Sequence, residues 1–420
     1  MKELLKENGQ FRIFMIYQMF SGLGNGIFSL FMLLSVHLIY ENVIYTGIAG
    51  FLMSMPLIFS FAVGPIVDRS KKVKIMRITT LFEFGVIALL ALTPLLDNLG
   101  VLFMFAVILV FSVAAMFEAP SGRAVLPHIV KEDEILQANS LINIVSLLAG
   151  IMLAVLLLSV LGEGNNLQLI FLLSMGFLGV SFLFSLILRD PNEKTDTKKR
   201  ILQNYRADLF KGMKFLRKNV LLFFIVADIA LAFLGQASYV NRPAFIEYYA
   251  GARGYIILTV VMMTGGLIAS SMVTPLGKRL RVNQLLFVFY LFGGVTRIVF
   301  VLVLPVSFYL AIALTLVNAA VLSASDMVEK SLAQKIPPKD MVGRVDTIST
   351  SFTAISIALG ALAGGFLGSV VSDVAYIFIA QGIILAAASF YFFLVPAIRK
   401  LPVFNDIVRE GKQGDGGAAS

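Results

Sequence analysis

Long apolar segments limit what this chain can fold into more than any other feature. A helix needs about 20 mostly apolar residues to cross the hydrocarbon core of a bilayer, and the sequence contains twelve such segments. Because no water reaches the backbone there, each segment is predicted to be α-helical. We number them spans 1–12, at 13–39, 46–67, 75–96, 100–120, 135–161, 167–188, 220–240, 254–275, 283–304, 307–329, 346–371 and 374–395. The predicted fold class is an all-α membrane protein with twelve transmembrane helices.

The composition is that of a chain dissolved in lipid. Hydrophobic residues make up 58% and charged residues 14% of the 420 positions, whereas a soluble domain carries about 25% charged residues. Cysteine is absent, and His37 and His128 are the only histidines. We therefore expect no disulfide, no metal centre and no cofactor.

Lysine and arginine residues predict the orientation of the spans, because they are enriched in cytoplasmic loops. With the N-terminus in the cytoplasm, 31 of the 34 fall on the cytoplasmic side. Arg242 and Arg253 fall in one external loop, and Arg297 lies inside span 9. The net charge of +9 therefore reflects membrane topology and not nucleic-acid binding. We expect a multi-pass protein of a bacterial plasma membrane with both termini in the cytoplasm.

A polar stretch after span 6 divides the chain into two halves. It spans 190–218 and contains a basic amphipathic segment, 201–218, which is predicted to lie flat on the cytoplasmic leaflet. The predicted domains are a six-helix bundle at 1–189, this linker at 190–218, a second six-helix bundle at 219–396 and a cytoplasmic tail at 397–420.

Loops in the two halves repeat at nearly constant spacing. Gly64-Pro-Ile-Val-Asp-Arg after span 2 matches Thr274-Pro-Leu-Gly-Lys-Arg after span 8, at an offset of 210 residues. The loop at 126–133 after span 4 matches 333–340 after span 10, at an offset of 207 residues. This duplication predicts two pseudo-symmetric six-helix bundles, with a substrate site near the midplane between them.

The first of these loops also carries a family signature. Gly64-Pro-Ile-Val-Asp68-Arg69-Ser-Lys71-Lys72 resembles the signature Gly-x-x-x-Asp-Arg-x-x-Arg/Lys of the major facilitator superfamily. The resemblance implies the major facilitator fold of secondary transporters, which usually act as monomers. It also implies a gate on the cytoplasmic side, for which the candidates are Gly64, Asp68, Arg69, Arg123 and Arg344.

Further segments resemble a subgroup that contains macrolide-efflux proteins and enterobactin-type exporters. They are Pro120-x-x-Arg123-Ala-x-x-Pro127, Asp208-Leu209-x-x-Gly212 and Gln334-x-Ile336-Pro337 with Gly343-Arg344-Val345. This resemblance implies proton-driven export of a small organic molecule. Span 4 lacks the arginine, and span 5 the Gly-Pro pair, that drug antiporters often carry.

Ionisable residues inside spans mark candidate functional sites, because charge at membrane depth is costly. A proton-coupled carrier needs carboxyl groups that take up and release protons. The candidates for proton coupling are Asp228, Glu118, Asp326 and Glu83, and the alternative for each is a structural ion pair. Arg297 needs a carboxylate partner as well, for which Asp326 and an anionic substrate are the candidates.

Polar uncharged residues inside spans are candidates for a substrate cavity. Span 1 carries a polar stripe at steps of three or four residues, which places it on one helix face; its members are Gln18, Ser21, Asn25 and Ser29. The candidate cavity residues are Gln18, Asn25, Asn139, Asn143, Gln236, Arg297 and Asn318. The alternative for the amides is hydrogen bonding between helices. Small residues at steps of four in span 11 predict a close helix contact; they are Gly360, Gly364 and Gly368.

The predicted function is secondary active transport, as proton-coupled export of small amphiphilic molecules such as a macrolide-like drug or a siderophore. The alternative is a lipid or lysolipid translocator of the same fold, with Arg297 and Arg242 as candidate cations. The sequence shows no nucleophile–base pair and no phosphate-binding glycine loop, so we expect neither an enzyme nor an ATP-driven pump. The expected partners are a small-molecule substrate, protons and the lipid bilayer.

Overall fold

The structure is a computed structural model of the chain. It describes residues 8–59, 70–92, 100–131, 167–189 and 210–404, together with the shorter pieces 63, 66, 67, 134, 135, 137–139, 141, 142, 145, 146, 149, 150, 153 and 406. Over these residues the secondary structure is helical, apart from one isolated bridge between Arg281 and Val403.

Eleven helices of 16 residues or more follow one another in the described part of the chain. They are α1 Gly9–Tyr40, α2 Val43–Ile58, α3 Lys72–Leu92, α4 Val101–Ile129, α5 Leu167–Ile187, α6 Leu221–Val240, α7 Arg242–Leu276, α8 Val282–Val303, α9 Phe308–Lys335, α10 Lys339–Val370 and α11 Ala375–Leu394. Ten are long and apolar enough to cross a membrane, and α2 is shorter. The predicted all-α membrane class is confirmed. Helices α1–α4 correspond to spans 1–4, α5 to span 6 and α6–α11 to spans 7–12, whereas most of span 5 lies outside the described residues.

Asparagine and serine side chains begin several of these helices. The Asn8 side chain accepts a hydrogen bond from the Phe11 amide at 2.9 Å, and Asn42 does the same for Ile44. Ser307 caps α9 in this way. These side chains satisfy amide groups that have no partner inside the helix, so polar residues between apolar segments fix where α1, α2 and α9 begin.

The chain divides into two compact units, residues 1–201 and 202–420. In the first unit α3 packs on α5 and α4, and α2 packs on α4. In the second unit α8 packs on α11 and α9, and α7 packs on α9. In span numbers, the contacts 3–6, 3–4 and 2–4 of the first unit recur as 9–12, 9–10 and 8–10 in the second unit. Each pair is shifted by six spans, which is the arrangement expected of a duplicated bundle.

The sequence prediction for Arg242 was wrong. We expected an external loop to hold both Arg242 and Arg253, but α7 begins at Arg242 and continues past Gly251, whose φ of 66° and ψ of 178° interrupt it. Arg242 is only 6% exposed. The helix begins here because proline is favoured in the first turn and because Phe245 and Ile246 are buried in the core of the second unit.

Part of the predicted amphipathic segment lies within the described residues. Residues 210–216 are helical. Leu216 is buried in the core of the second unit, and Gly212 lies against Arg344 and Ile348 of α10. Phe210 is 76% exposed. The segment therefore belongs to the second unit, and residues 190–209 lie outside the described part of the chain.

Close packing of α10 on α6 explains the small residues of span 11. A Cβ atom added at Gly364 would lie 2.5 Å from the Ala237 Cα, and one at Gly360 would overlap the Phe233 carbonyl. The Asn241 amide group donates to the Ala237 and Gly364 carbonyls, both at 2.8 Å. The two backbones are thus in direct contact, as the glycine spacing predicts.

The close contact between α6 and α10 predicts that a larger residue at Gly364 destabilises the fold. Gly364→Ala forces α6 and α10 apart, so we expect it to lower the free energy of unfolding by about 1–3 kcal/mol. Gly266→Ala on α7 is the matched control, because its new Cβ meets only the Ser323 hydroxyl at an ordinary 3.8 Å. The measurement is denaturant unfolding of both purified variants in detergent micelles. Equal effects of the two substitutions would contradict the close contact.

Candidate functional site

Two carboxyl groups meet one asparagine inside the first unit. The Asn25 amide on α1 donates to Glu118 Oε2 on α4 at 2.9 Å, and it lies 3.5 Å from Glu83 Oε2 on α3. Glu83 is completely buried, and its Oε1 atom has no hydrogen-bond partner among the described residues. We call Glu83, Glu118 and the side chains that bond them the first carboxyl cluster.

Hydroxyl groups complete the first carboxyl cluster. The Tyr17 hydroxyl donates to Glu118 Oε1 at 3.0 Å and lies 2.8 Å from the Thr80 hydroxyl, so it joins three helices. The Ser21 hydroxyl also donates to Glu118 Oε1. Tyr17, Ser21 and Asn25 are spaced four residues apart, and a helix places such residues on one face. The predicted polar stripe of span 1 therefore explains how α1 brings its donors to Glu118.

No cation balances this cluster in the described part of the chain. Neither Glu83 nor Glu118 pairs with a lysine or arginine there; Glu83 is buried, and Glu118 is half-buried. Two carboxylates bridged by one amide repel each other strongly where the dielectric constant is low. Binding of one proton to the pair removes this repulsion.

A cavity of about 410 Å³ opens beside Glu118 within the first unit. Gln18, Asn25 and Glu118 supply part of its polar wall, and the Phe28 and Phe111 rings stack in its apolar wall with centroids 3.6 Å apart. Gln18 and Asn25, two of the candidate cavity residues, both line this cavity. A cavity lined by both polar and aromatic side chains suits an amphiphilic ligand.

The second unit contains a second carboxyl cluster, formed by Asp228 on α6, Glu329 on α9 and Tyr290 on α8. The Tyr290 hydroxyl donates to Glu329 Oε1 at 2.7 Å. The carboxyl groups of Asp228 and Glu329 lie close enough to hydrogen-bond to each other. Such a bond forms only when one of the two carboxyl groups carries a hydrogen atom, so this pair can hold one proton between them.

Sequence reasoning missed Glu329 and Tyr17. Glu329 is 8% exposed, but it stands at the end of predicted span 10, where a charge is common. Its separation from Glu118 is 211 residues, close to the repeat offsets of 207 and 210, and this signal could have identified it. Tyr17 lies four residues before Ser21 and extends the polar stripe by one turn.

Asp326 occupies a different position from Glu329, although only three residues separate them. Its side chain is 59% exposed and forms an ion pair with Lys330 at 2.7 Å, one helical turn away. Exposed pairs of this kind contribute little to stability, about 0.3–0.5 kcal/mol. Asp326 does not pair with Arg297, which was one of the two partners considered for that arginine.

The other described cavity candidates are not among the residues that line the first cavity. Arg297 and Asn318 line a small cavity in the second unit. Asn318 donates to the Gly293 carbonyl at 2.7 Å and to the Thr296 hydroxyl at 2.9 Å, which is the interhelical bonding considered as its alternative. Asn139 is exposed and donates to the Ile135 carbonyl, and Gln236 is half-buried on α6.

The structure describes only part of the predicted gate. Arg123 is exposed on α4. Arg344 is half-buried on α10, where its guanidinium contacts the Met341 sulfur at 3.5 Å. The other gate candidates, Gly64, Asp68 and Arg69, lie outside the described residues, as does Asn143 from the cavity candidates.

The sequence profile described as Major Facilitator Superfamily matches residues 14–346. An uncharacterized MFS-type transporter of Bacillus subtilis (strain 168), YkuC, is 22% identical over 401 residues, 90% of each chain.

Solved structures are similar in fold at low sequence identity. The nucleoside transporter NupG has a TM-score of 0.71 at 15% identity, over 92% of this chain and 99% of that one. A D-xylose-proton symporter has a TM-score of 0.69 at 12% identity, over 94% of this chain and 98% of that one. A bacterial homolog of the human lysosomal transporter Spinster has a TM-score of 0.67 at 12% identity, over 95% and 97%.

The second carboxyl cluster makes a prediction about coupling between residues. Because Asp228 and Glu329 share a hydrogen bond, we expect the effects of Asp228→Asn and Glu329→Gln on the free energy of unfolding to be non-additive by about 0.5–3 kcal/mol. The measurement is a double-mutant cycle in detergent micelles. The control cycle pairs Glu329→Gln with Asp346→Asn, an exposed carboxylate on α10, and is expected to be additive. Additivity in both cycles would refute the shared bond.

Proposed function

The chain belongs to the Major Facilitator Superfamily and is a multi-pass membrane transporter, and we propose that it exports small amphiphilic molecules in exchange for protons. The proposal makes the protein a secondary active transporter that works by alternating access. It rests on one observation above all, which is that Glu118 belongs both to the first carboxyl cluster and to the wall of the 410 Å³ cavity.

This double position of Glu118 supplies a physical basis for antiport. A proton on the cluster neutralises the carboxyl pair, and an amphiphile in the cavity lies against the same side chain. A ligand that carries a positive charge or hydrogen-bond donors is attracted to the ionised carboxylate and competes with the proton for it. Binding of one partner therefore favours release of the other, which is the requirement for exchange.

The second carboxyl cluster extends the proposal to the other unit. Asp228 and Glu329 hold a proton in their mutual hydrogen bond, and Tyr290 orients Glu329. We propose Glu83, Glu118, Asp228 and Glu329 as the proton-binding groups. Asp326 has an exposed position beside Lys330 and offers no comparable site.

The direction and location of transport rest on sequence features. The distribution of lysine and arginine supports cytoplasmic termini, and the resemblance to the subgroup of macrolide-efflux and enterobactin-type proteins supports export from a bacterial cell. On this account Asp68 and Arg69, with Arg123 and Arg344, close the cytoplasmic side during the cycle, and the protein acts as a monomer.

A lipid or lysolipid translocator is the second candidate. The observation that favours it is the presence of Arg242 and Arg297 beside one cavity, since two cations can hold an anionic headgroup. That cavity measures only about 20 Å³, which is room for about one water-sized particle. A phosphate headgroup does not fit it, so we place export of small amphiphiles first.

Transport into inverted membrane vesicles tests the proposal. The vesicles carry an acidic interior, and a fluorescent amphiphile is added outside. Outward proton flow then drives uptake, so we expect wild-type uptake that a protonophore abolishes. We expect Glu118→Gln and Asp228→Asn to reduce uptake to the level of vesicles without the protein, because neither amide can release a proton. Glu41→Gln, at an exposed carboxylate that ends α1, is the control and is expected to transport normally.

Two outcomes would contradict the proposal. Uptake that is indifferent to the pH gradient would exclude proton exchange. If the vesicles take up a fluorescent lysolipid but not the soluble amphiphile, the lipid translocator becomes the better proposal and the exporter is rejected.

A further inference from the structure

Two arginines in the second unit face one small cavity. Arg242, in the first turn of α7, and Arg297, in the middle of α8, both line it. Arg242 is 6% exposed, and the two positive charges lie close enough to repel each other. We propose that this cavity is a binding site for a single small inorganic anion of the size of chloride.

Each guanidinium has one buried nitrogen without a hydrogen-bond partner among the residues described. Arg242 Nη1 and Arg297 Nε are buried and make no hydrogen bond. Aromatic rings are the nearest compensation, with Arg242 5.5 Å from the Tyr239 ring and Arg297 5.8 Å from the Phe378 ring. A ring face attracts a cation weakly, by about 0.5–2 kcal/mol, and it accepts none of the N–H groups in the plane of a guanidinium.

A bound anion would supply the negative charge that the two guanidinium groups lack among the described residues. A guanidinium cannot lose its proton to escape burial, and a buried charge without a counter-charge is strongly destabilising. Here two such charges adjoin. One monovalent anion between them accepts hydrogen bonds from both and converts their repulsion into attraction.

The other polar groups of the cavity wall are already engaged. The Asn318 amide donates to Gly293 and Thr296, and the Thr315 hydroxyl donates to the Ala311 carbonyl at 2.8 Å. The rest of the wall is apolar, made of Ile246, Leu258, Met262 and Phe300. The polar groups of this wall that retain unpartnered donors are therefore the two guanidinium groups, and a cationic donor favours an acceptor that carries negative charge.

The size of the cavity narrows the class of anion. Its volume is about 20 Å³, and one water-sized particle needs about 10–15 Å³ measured in this way. A halide ion fits such a space, whereas phosphate, a carboxylate-bearing substrate or a lipid headgroup does not. The site lies on α7 and α8 and shares no residue with either carboxyl cluster, so the proposal does not rest on proton exchange.

Thermal unfolding of the purified full-length protein in detergent tests the proposal. Chloride replaces gluconate at constant ionic strength, and bromide, acetate and phosphate follow in parallel titrations. We expect a saturable rise of the Tm with chloride and bromide, because an ion that binds only the folded state stabilises it. Phosphate and gluconate are expected to leave the Tm unchanged. Equal effects of all anions, or a response to acetate and phosphate alone, would overturn the halide site.

Two variants locate the response. Arg297→Gln removes one of the two charges, so the Tm is expected to become independent of chloride. Arg253→Gln, at an exposed arginine of the same helix as Arg242, is expected to retain the full response. A chloride response that survives Arg297→Gln would place the ion elsewhere and overturn the proposal. Where Arg297→Gln fails to fold, Arg242→Gln provides the same test, and neither titration requires transport activity.

Discussion

The cost of placing charge inside an apolar helical bundle governs the organisation of both units. Lipid surrounds the spans, so water cannot solvate an ionised group within them. In the first unit Tyr17, Ser21 and Asn25 lower this cost because they donate hydrogen bonds to Glu118. The second unit meets it by bonding Asp228 to Glu329. In the first unit the buried acids lie among hydrogen-bond donors and pair with no described cation, whereas in the second unit Lys330, which already pairs with Asp326, also acts on Asp228. A bound proton neutralises the carboxyl pair in either unit.

Duplication of the bundle accounts for the similarity of the two carboxyl clusters. Glu118 lies on α4 and Glu329 on α9, which are equivalent helices in the repeat. Glu83 and Thr80 on α3 correspond to Tyr290 on α8 in the same way. In the first unit the tyrosine, Tyr17, lies on α1 and the acid Glu83 on α3. On the equivalent helices of the second unit the order is reversed, with the acid Asp228 on α6 and the tyrosine Tyr290 on α8. Each cluster therefore has a carboxyl pair and one phenol donor. The chemistry is therefore shared although the residues are not identical.

Sequence alone predicted the spans, because length and apolarity suffice for them, and it identified Glu83, Glu118 and Asp228 as charges at membrane depth. It did not identify the partners of these residues, because partners such as Asn25 and Glu118 are 93 residues apart. It chose Asp326 over Glu329, because the rotation of α9 decides which acid faces inward. In a membrane protein the outward-facing residues, such as the exposed Leu302, are as apolar as the core residues. The pattern of hydrophobic residues along a span therefore does not show which face of the helix points inward. Arg242 was misplaced because an arginine and a proline after a span resemble a loop.

Infrared titration of the purified protein tests the central claim most directly, since protonated carboxyl groups have a C=O stretching band that carboxylates lack. The account predicts such a band at neutral pH, weaker in Glu329→Gln and in Glu118→Gln and unchanged in the exposed control Glu41→Gln. A wild-type spectrum without the band, or a band that neither buried substitution alters, would contradict the claim that these clusters hold protons.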